Sequence, residues 1–134
     1  MQKILAESKN YKIVSEYEYI TLHFKNAFNT TVYVGDFYGD PDCAIISKDE
    51  KYIVIGGCGL IIYFLKKPFV AFGSFSNENQ YSEFFRETSD CWWISELAQN
   101  PNELSYFQFK AANDNGEFLY KMNINDYKLE QINI

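Results

Sequence analysis

Short alternating or continuous runs of apolar residues recur along the whole chain, and their spacing predicts strands rather than long helices. Tyr11 to Phe24 is rich in Tyr, Ile, Val and Thr, and Ile20, Leu22 and Phe24 alternate there with Tyr19, Thr21 and His23. That two-residue period belongs to a strand with one buried face. A polar break at Asn26 to Thr30 separates it from a second stretch, Thr31 to Tyr38, which runs into Gly39-Asp40-Pro41-Asp42. Cys43 to Ser47, Tyr52 to Ile55 and Leu60 to Leu65 are continuously apolar, and they are divided by Lys48-Asp49-Glu50-Lys51 and by Gly56-Gly57-Cys58-Gly59. Apolar runs of this length between turn signals predict central strands covered on both faces.

Farther along, Tyr81, Phe84 and Phe85 fall at helical spacing, with Asn77 as a candidate N-cap and Gln80 three residues on as its capping-box partner. Asp90 to Leu97 fits a strand or a helix. Phe107, Phe109 and Ala111 then alternate with Tyr106, Gln108 and Lys110, and Phe118, Tyr120, Met122 and Ile124 repeat the pattern beyond Asn113-Asp114-Asn115-Gly116. An Asn-Gly between two such runs predicts a hairpin. Tyr127 to Ile134 reads as a last strand. No linker, low-complexity tract or internal repeat is evident. The expected fold is therefore a single domain over residues 1–134, mainly β with α+β as the alternative. Its antiparallel sheet is sandwich-like or curled, with one short helix near residues 77–88.

Composition supports strands: eleven Tyr, twelve Phe and an aromatic content of 19% favour pleated, half-buried surfaces. The formal charge of −6 disfavours a nucleic-acid partner, because the cations are scattered rather than gathered on one face. A basic protein is the natural electrostatic complement, although acidity also serves solubility. The longest uncharged apolar stretch, Tyr52 to Leu65, is 14 residues long and interrupted by three glycines, too short and broken to span a membrane as a helix. Cys43, Cys58 and Cys91 are an odd set in apolar surroundings without CxxC spacing, and they read as reduced core thiols. With a start from Met1 to Asn10 that lacks a signal-peptide core, they lead to the expectation of a cytoplasmic protein.

Catalytic and metal chemistry find little to use. A Cys–His pair would have to recruit the single histidine, His23, from the more polar face of its strand. No G-x-S-x-G elbow is present. The glycine cluster at Gly56 is followed by strand-forming residues rather than by the helix N-terminus that a phosphate cradle requires. Asp36, Asp40 and Asp42 do not have the spacing of a calcium loop. The expectation is a protein that is not an enzyme and holds no cofactor or metal. Asp40-Pro41-Asp42 reads as a turn or as an acidic recognition loop. Trp92 and Trp93 point to opposite faces if they lie on a strand, so Trp93 either faces outward or is covered by a loop.

Gly35-Asp36-Phe37-Tyr38-Gly39-Asp40-Pro41, followed by Cys43 to Ile46, Tyr52 to Gly57 and Gly59 to Tyr63, resembles the immunity proteins that bacteria pair with polymorphic or contact-dependent-inhibition toxins. The resemblance covers about a quarter of the chain and follows a strand-loop-strand pattern. It implies a non-catalytic cytosolic inhibitor that binds a cognate toxin domain, commonly a nuclease, and it assigns no individual binding residue. The residues expected to contribute to such a surface are Asp36, Tyr38, Asp40, Asp42, Trp93 and Glu96, carboxylates and aromatics suited to a basic partner. The alternative is a small-ligand-binding or regulatory β-rich domain resembling the SMI1/KNR4 superfamily, which an enclosed apolar pocket would favour.

Overall fold

The structure is a computed structural model that describes residues 2–28, 30–73, 80–86 and 91–132. Among the described residues, twelve strands form three antiparallel sheets of four, each a simple meander in chain order. The first sheet contains β1 (Gln2–Glu7), β2 (Tyr11–Glu16), β3 (Tyr19–Phe24) and β4 (Thr31–Asp36). The second contains β5 (Cys43–Ile46), β6 (Tyr52–Gly57), β7 (Gly59–Phe64) and β8 (Tyr81–Phe84). The third contains β9 (Trp93–Gln99), β10 (Tyr106–Asn113), β11 (Gly116–Asn123) and β12 (Leu129–Gln131). Mainly β structure with antiparallel sheets is thus as expected. The topology also repeats where the sequence shows no repeat: Tyr11, Tyr52 and Tyr106 each open the second strand of a meander. Among the described residues three four-stranded meanders are thus packed face to face, with one core on each side of the second.

The second sheet lies in the middle, and its composition explains why. Ile53, Ile55, Ile61 and Tyr63 pack against Ile13, Ile20, Leu22, Val34 and Phe37 of the first sheet and the loop after it. Tyr52, Val54, Leu60 and Ile62 point the other way, onto Ile94, Phe107, Phe109, Ala111, Met122 and Ile124 of the third sheet and its edge. A strand buried on both faces needs apolar residues at successive positions, which is the continuous pattern of β6 and β7. The outer sheets bury one face only. In β10, buried Phe107, Phe109 and Ala111 therefore alternate with the more exposed Tyr106, Gln108 and Lys110. The expected hairpin closes with Asn113 opposite Gly116, whose φ of +124° is a conformation that favours glycine.

The expected helix is replaced, over Tyr81–Phe84, by the edge strand β8, which pairs with β7 from Leu60↔Phe84 to Tyr63↔Tyr81. A helix would gather Tyr81, Phe84 and Phe85 on one face, whereas here they serve two cores. Tyr81 packs toward the first sheet, and Phe84 and Phe85 pack toward the third. Gln80, rather than capping a helix, is buried and donates from Nε2 to the carbonyls of Phe64, at 2.6 Å, and Lys66, at 3.1 Å. Asn77 and the rest of the predicted helix beyond residues 80–86 lie outside the described residues. Among the described residues no helix is long and apolar enough to cross a membrane.

Glu50, in the turn between β5 and β6, ties the second sheet to the first. Its carboxylate accepts from the Ser8 hydroxyl, the Asn10 amide N–H at 3.0 Å and Asn10 Nδ2 at 2.6 Å. The Ser8 hydroxyl foremost, and then the Asn10 donors, hold this carboxyl below its ordinary value of 4.5. A carboxyl lowered on folding stabilises the fold above its unfolded pKa, and that contribution is lost as pH falls through the lower folded value. Urea titrations should therefore show a smaller loss of stability for Glu50→Gln than for wild type on going from about pH 6 to about pH 3. Equal losses would show that this anchor contributes nothing to the acid response.

Candidate functional site

The loop from Phe37 to Asp42, which links the first sheet to the second, is fixed at both ends. The Phe37 amide donates to the Glu18 carbonyl at 3.0 Å, and the Gly39 amide donates to Glu18 Oε2 at 2.5 Å. At the far end the Asp42 amide donates to the Gly56 carbonyl at 2.8 Å. Pro41 is buried, and the loop backbone approaches β6 so closely that a Cβ at Gly57 would lie 3.1 Å from Pro41 Cα. Phe37 itself is buried in the core between the first two sheets. Held in this way, the loop projects Tyr38, 84% exposed, and the carboxylate of Asp40 into solvent.

Arg86, just beyond β8, braces the same loop. Its Nη2 donates to the Asp36 carbonyl at 2.7 Å, and its guanidinium pairs with the carboxylates of Asp36 at 3.6 Å and Glu83 at 3.2 Å. The guanidinium also stands 4.8 Å from the Phe37 ring centroid, within cation–π range. Asp36 accepts in addition from the Tyr33 hydroxyl at 2.6 Å. Burial first, and then that bond to a carboxylate, push the Tyr33 phenol well above its ordinary pKa, so it remains a donor.

Three of the expected residues, Tyr38, Asp40 and Asp42, lie on this loop, with Asp36 at its root and Trp93 beside it. Trp93 is exposed, and its Nε1 donates to Asp42 Oδ2 at 3.1 Å, so of its two expected orientations the outward one is found. Trp92 takes the opposite face, stacked on Phe85 at 4.3 Å and on Tyr120 at 5.2 Å. Glu96 stands apart on the third sheet, in the bulged part of β9, where its carboxylate lies 3.9 Å from Lys110 Nζ. Sequence reasoning missed Tyr17, Glu18 and Tyr19, the turn between β2 and β3. Tyr17 and Tyr19 are 67% and 60% exposed, and the turn reaches the loop through Glu18. Its only signal was the run Glu16-Tyr17-Glu18-Tyr19, which contains no Gly, Pro or Asn, and Tyr17 adopts φ +57° without being glycine.

Glu18, Tyr19, Asp36, Phe37, Tyr38 and Arg86 line an open cleft of about 310 Å³ within this surface. The reading of three reduced thiols needs correction, because Cys58 and Cys91 form a disulfide and only Cys43 is free. Cysteines 33 positions apart with no motif between them carry no local sign of their pairing. Cys43 has a thiol pushed up to about 11 by burial, the reverse of an activated nucleophile, and it donates weakly to the Ile94 carbonyl. His23, on the first sheet, shares a hydrogen bond with the Thr21 hydroxyl at 3.2 Å. Among the described residues no group of three or more metal-ligating side chains converges. What the surface offers is carboxylates and aromatic faces on a braced backbone. No protein-family model matches the chain, and no curated protein matches it.

Proposed function

We propose that the chain is a protein-binding module of the immunity type, which neutralises a cognate toxin domain by covering it with the surface around the Phe37–Asp42 loop. The observation that carries this reading is a braced loop bearing exposed Tyr38 and Asp40, joined through Glu18 to the turn with exposed Tyr17 and Tyr19 and through Asp42 to exposed Trp93. Large aromatics held in fixed positions supply interface area with little entropy to lose, and surrounding carboxylates attract a basic partner. A net charge of −6 adds long-range attraction of the same sign. The partner is then a basic protein, such as a nuclease domain whose phosphate-binding cations the carboxylates would meet, and the reading places the protein in the bacterial cytoplasm.

The test is charge reversal at Asp40 and Asp42 together, measured against the purified toxin domain encoded beside this gene. Association should slow and affinity fall by about tenfold or more, with the loss larger at low salt. Unchanged affinity would remove the loop from the interface. Failure of the neighbouring gene product to bind at all would remove the immunity reading.

A further inference from the structure

We infer that Cys58 and Cys91 form a redox-responsive clasp that sets the position of Trp93 and thereby regulates the partner surface. Only the last step rests on the protein-binding reading above. Cys58 occupies the tip of the β6–β7 hairpin between Gly57 and Gly59, and Cys91 lies where the chain crosses from the second sheet to the third, immediately before Trp92-Trp93. The disulfide is the covalent link between these two segments, whose seam among the described residues is otherwise non-covalent. The Gly59 amide donates to the Trp92 carbonyl at 2.8 Å, Cys58 forms an isolated bridge with Trp93, and the Trp92 amide reaches the Phe85 carbonyl at 3.2 Å. Two residues from Cys91, Trp93 bonds Asp42 on the loop expected to bind the partner.

Both cysteines are only partly buried, so a soluble thiol can reach them. In any reducing compartment a disulfide of this kind is typically transient and redox-sensing. Opening it needs a dithiol reductant of the thioredoxin type. One reductant thiolate attacks a sulfur of the pair and forms a mixed disulfide, the S–S bond breaks, and the released thiolate takes up a proton. The reductant's second thiol then displaces the other cysteine, which is protonated in turn. Two electrons and two protons enter the pair, and the reductant leaves as a disulfide. Closure is the reverse, with a disulfide such as oxidised glutathione as the oxidant. When the pair is open, Trp93 keeps its β10 ladder pairing with Ala112, the seam contacts and the Asp42 bond, all of them non-covalent. When it is closed, the start of β9 is covalently fixed to the central hairpin. Fixing a binding aromatic in place before encounter lowers the ordering cost of association.

The experiment uses the full chain with Trp92→Phe, so that Trp93 is the sole tryptophan, in dithiothreitol or after oxidised glutathione. Differential alkylation and mass spectrometry report the state of the pair, and acrylamide quenching reports the access of Trp93. Trp93 should be more quenchable in the reduced form, and partner affinity should be weaker by about fivefold or more. The Cys58→Ser, Cys91→Ser double variant on the Trp92→Phe background should match the reduced form in either medium, and Cys91→Ala on the same background replaces it if that variant does not fold. Identical quenching in both states, or no pair formed with oxidised glutathione, overturns the clasp whatever the partner does. A quenching change with equal partner affinity in both states overturns the regulation. If the proposed partner does not bind in either state, it is the immunity reading that fails, and quenching alone judges the clasp.

Discussion

Phe109→Ala should lower the free energy of unfolding by about 3–5 kcal/mol, a large fraction of the roughly 5–15 kcal/mol available to a domain of ordinary stability. Phe109 is fully buried between the second and third sheets, with ring centroids of Phe107, Tyr120 and Phe85 at 6.0, 5.9 and 6.2 Å. It pairs directly with Tyr120 in the β10–β11 ladder. Truncation there loses the transfer energy of the ring and leaves a cavity that closes only in part, because the ladders on both sides of Phe109 limit how far its own sheet can deform. Phe118, partly exposed near the hairpin end, should cost only about 1 kcal/mol or less on truncation to Ala, since little of it leaves water. Urea unfolding followed by circular dichroism separates the two. A loss below about 1 kcal/mol for Phe109→Ala would mean that the third sheet is not held by this core.

Gly59→Ala should cost about 2–4 kcal/mol, well above Gly39→Ala at about 1 kcal/mol, although both glycines have positive φ. At Gly39, with φ +88°, an added Cβ meets nothing within 4 Å, so only backbone strain is incurred. At Gly59, with φ +97°, the same atom would lie 2.1 Å from Arg86 Cγ and 3.0 Å from the Phe84 carbonyl oxygen. The oxygen belongs to the β7–β8 edge, and the Arg86 stem cannot swing away without giving up Asp36 and Phe37. The substitution therefore couples stability to the site. Thermal unfolding should show the larger shift for Gly59→Ala, and partner affinity should fall for Gly59→Ala because Arg86 no longer braces the loop. Equal shifts for the two variants would show that the contact with Arg86 is absorbed without cost.

Part of the candidate site was legible as a string. Asp40-Pro41-Asp42 announced a turn rich in carboxylates, and Trp92-Trp93 had to split between two faces if the segment was a strand. Glu96 lies in the bulged part of β9 beside Lys110, and no local pattern in the sequence marks that bulge. The Glu16–Tyr19 turn was invisible because it holds none of the Gly, Pro or Asn that mark turns, and its two tyrosines are good strand formers. The chain reverses there through a positive φ at Tyr17 that no residue type in the turn advertises. Arg86 looked like one scattered cation. Its role comes from contacts with Asp36 and Phe37, about fifty positions earlier in the chain.

The strand periods, the doubly covered character of β6 and β7 and the hairpin at Asn113 to Gly116 are readable along the chain, because burial on one face, burial on two faces and a tight turn each leave a local pattern. That Tyr81–Phe84 is a strand emerges from packing, since three aromatics at mixed spacing suit a helix face until the free edge of β7 offers them a ladder and two cores. Tertiary structure likewise sets the stacking of three sheets, the pairing of Cys58 with Cys91 and the meeting of Trp93 with Asp42. Periodicity records whether a side chain is buried, and it does not record which distant segment buries it.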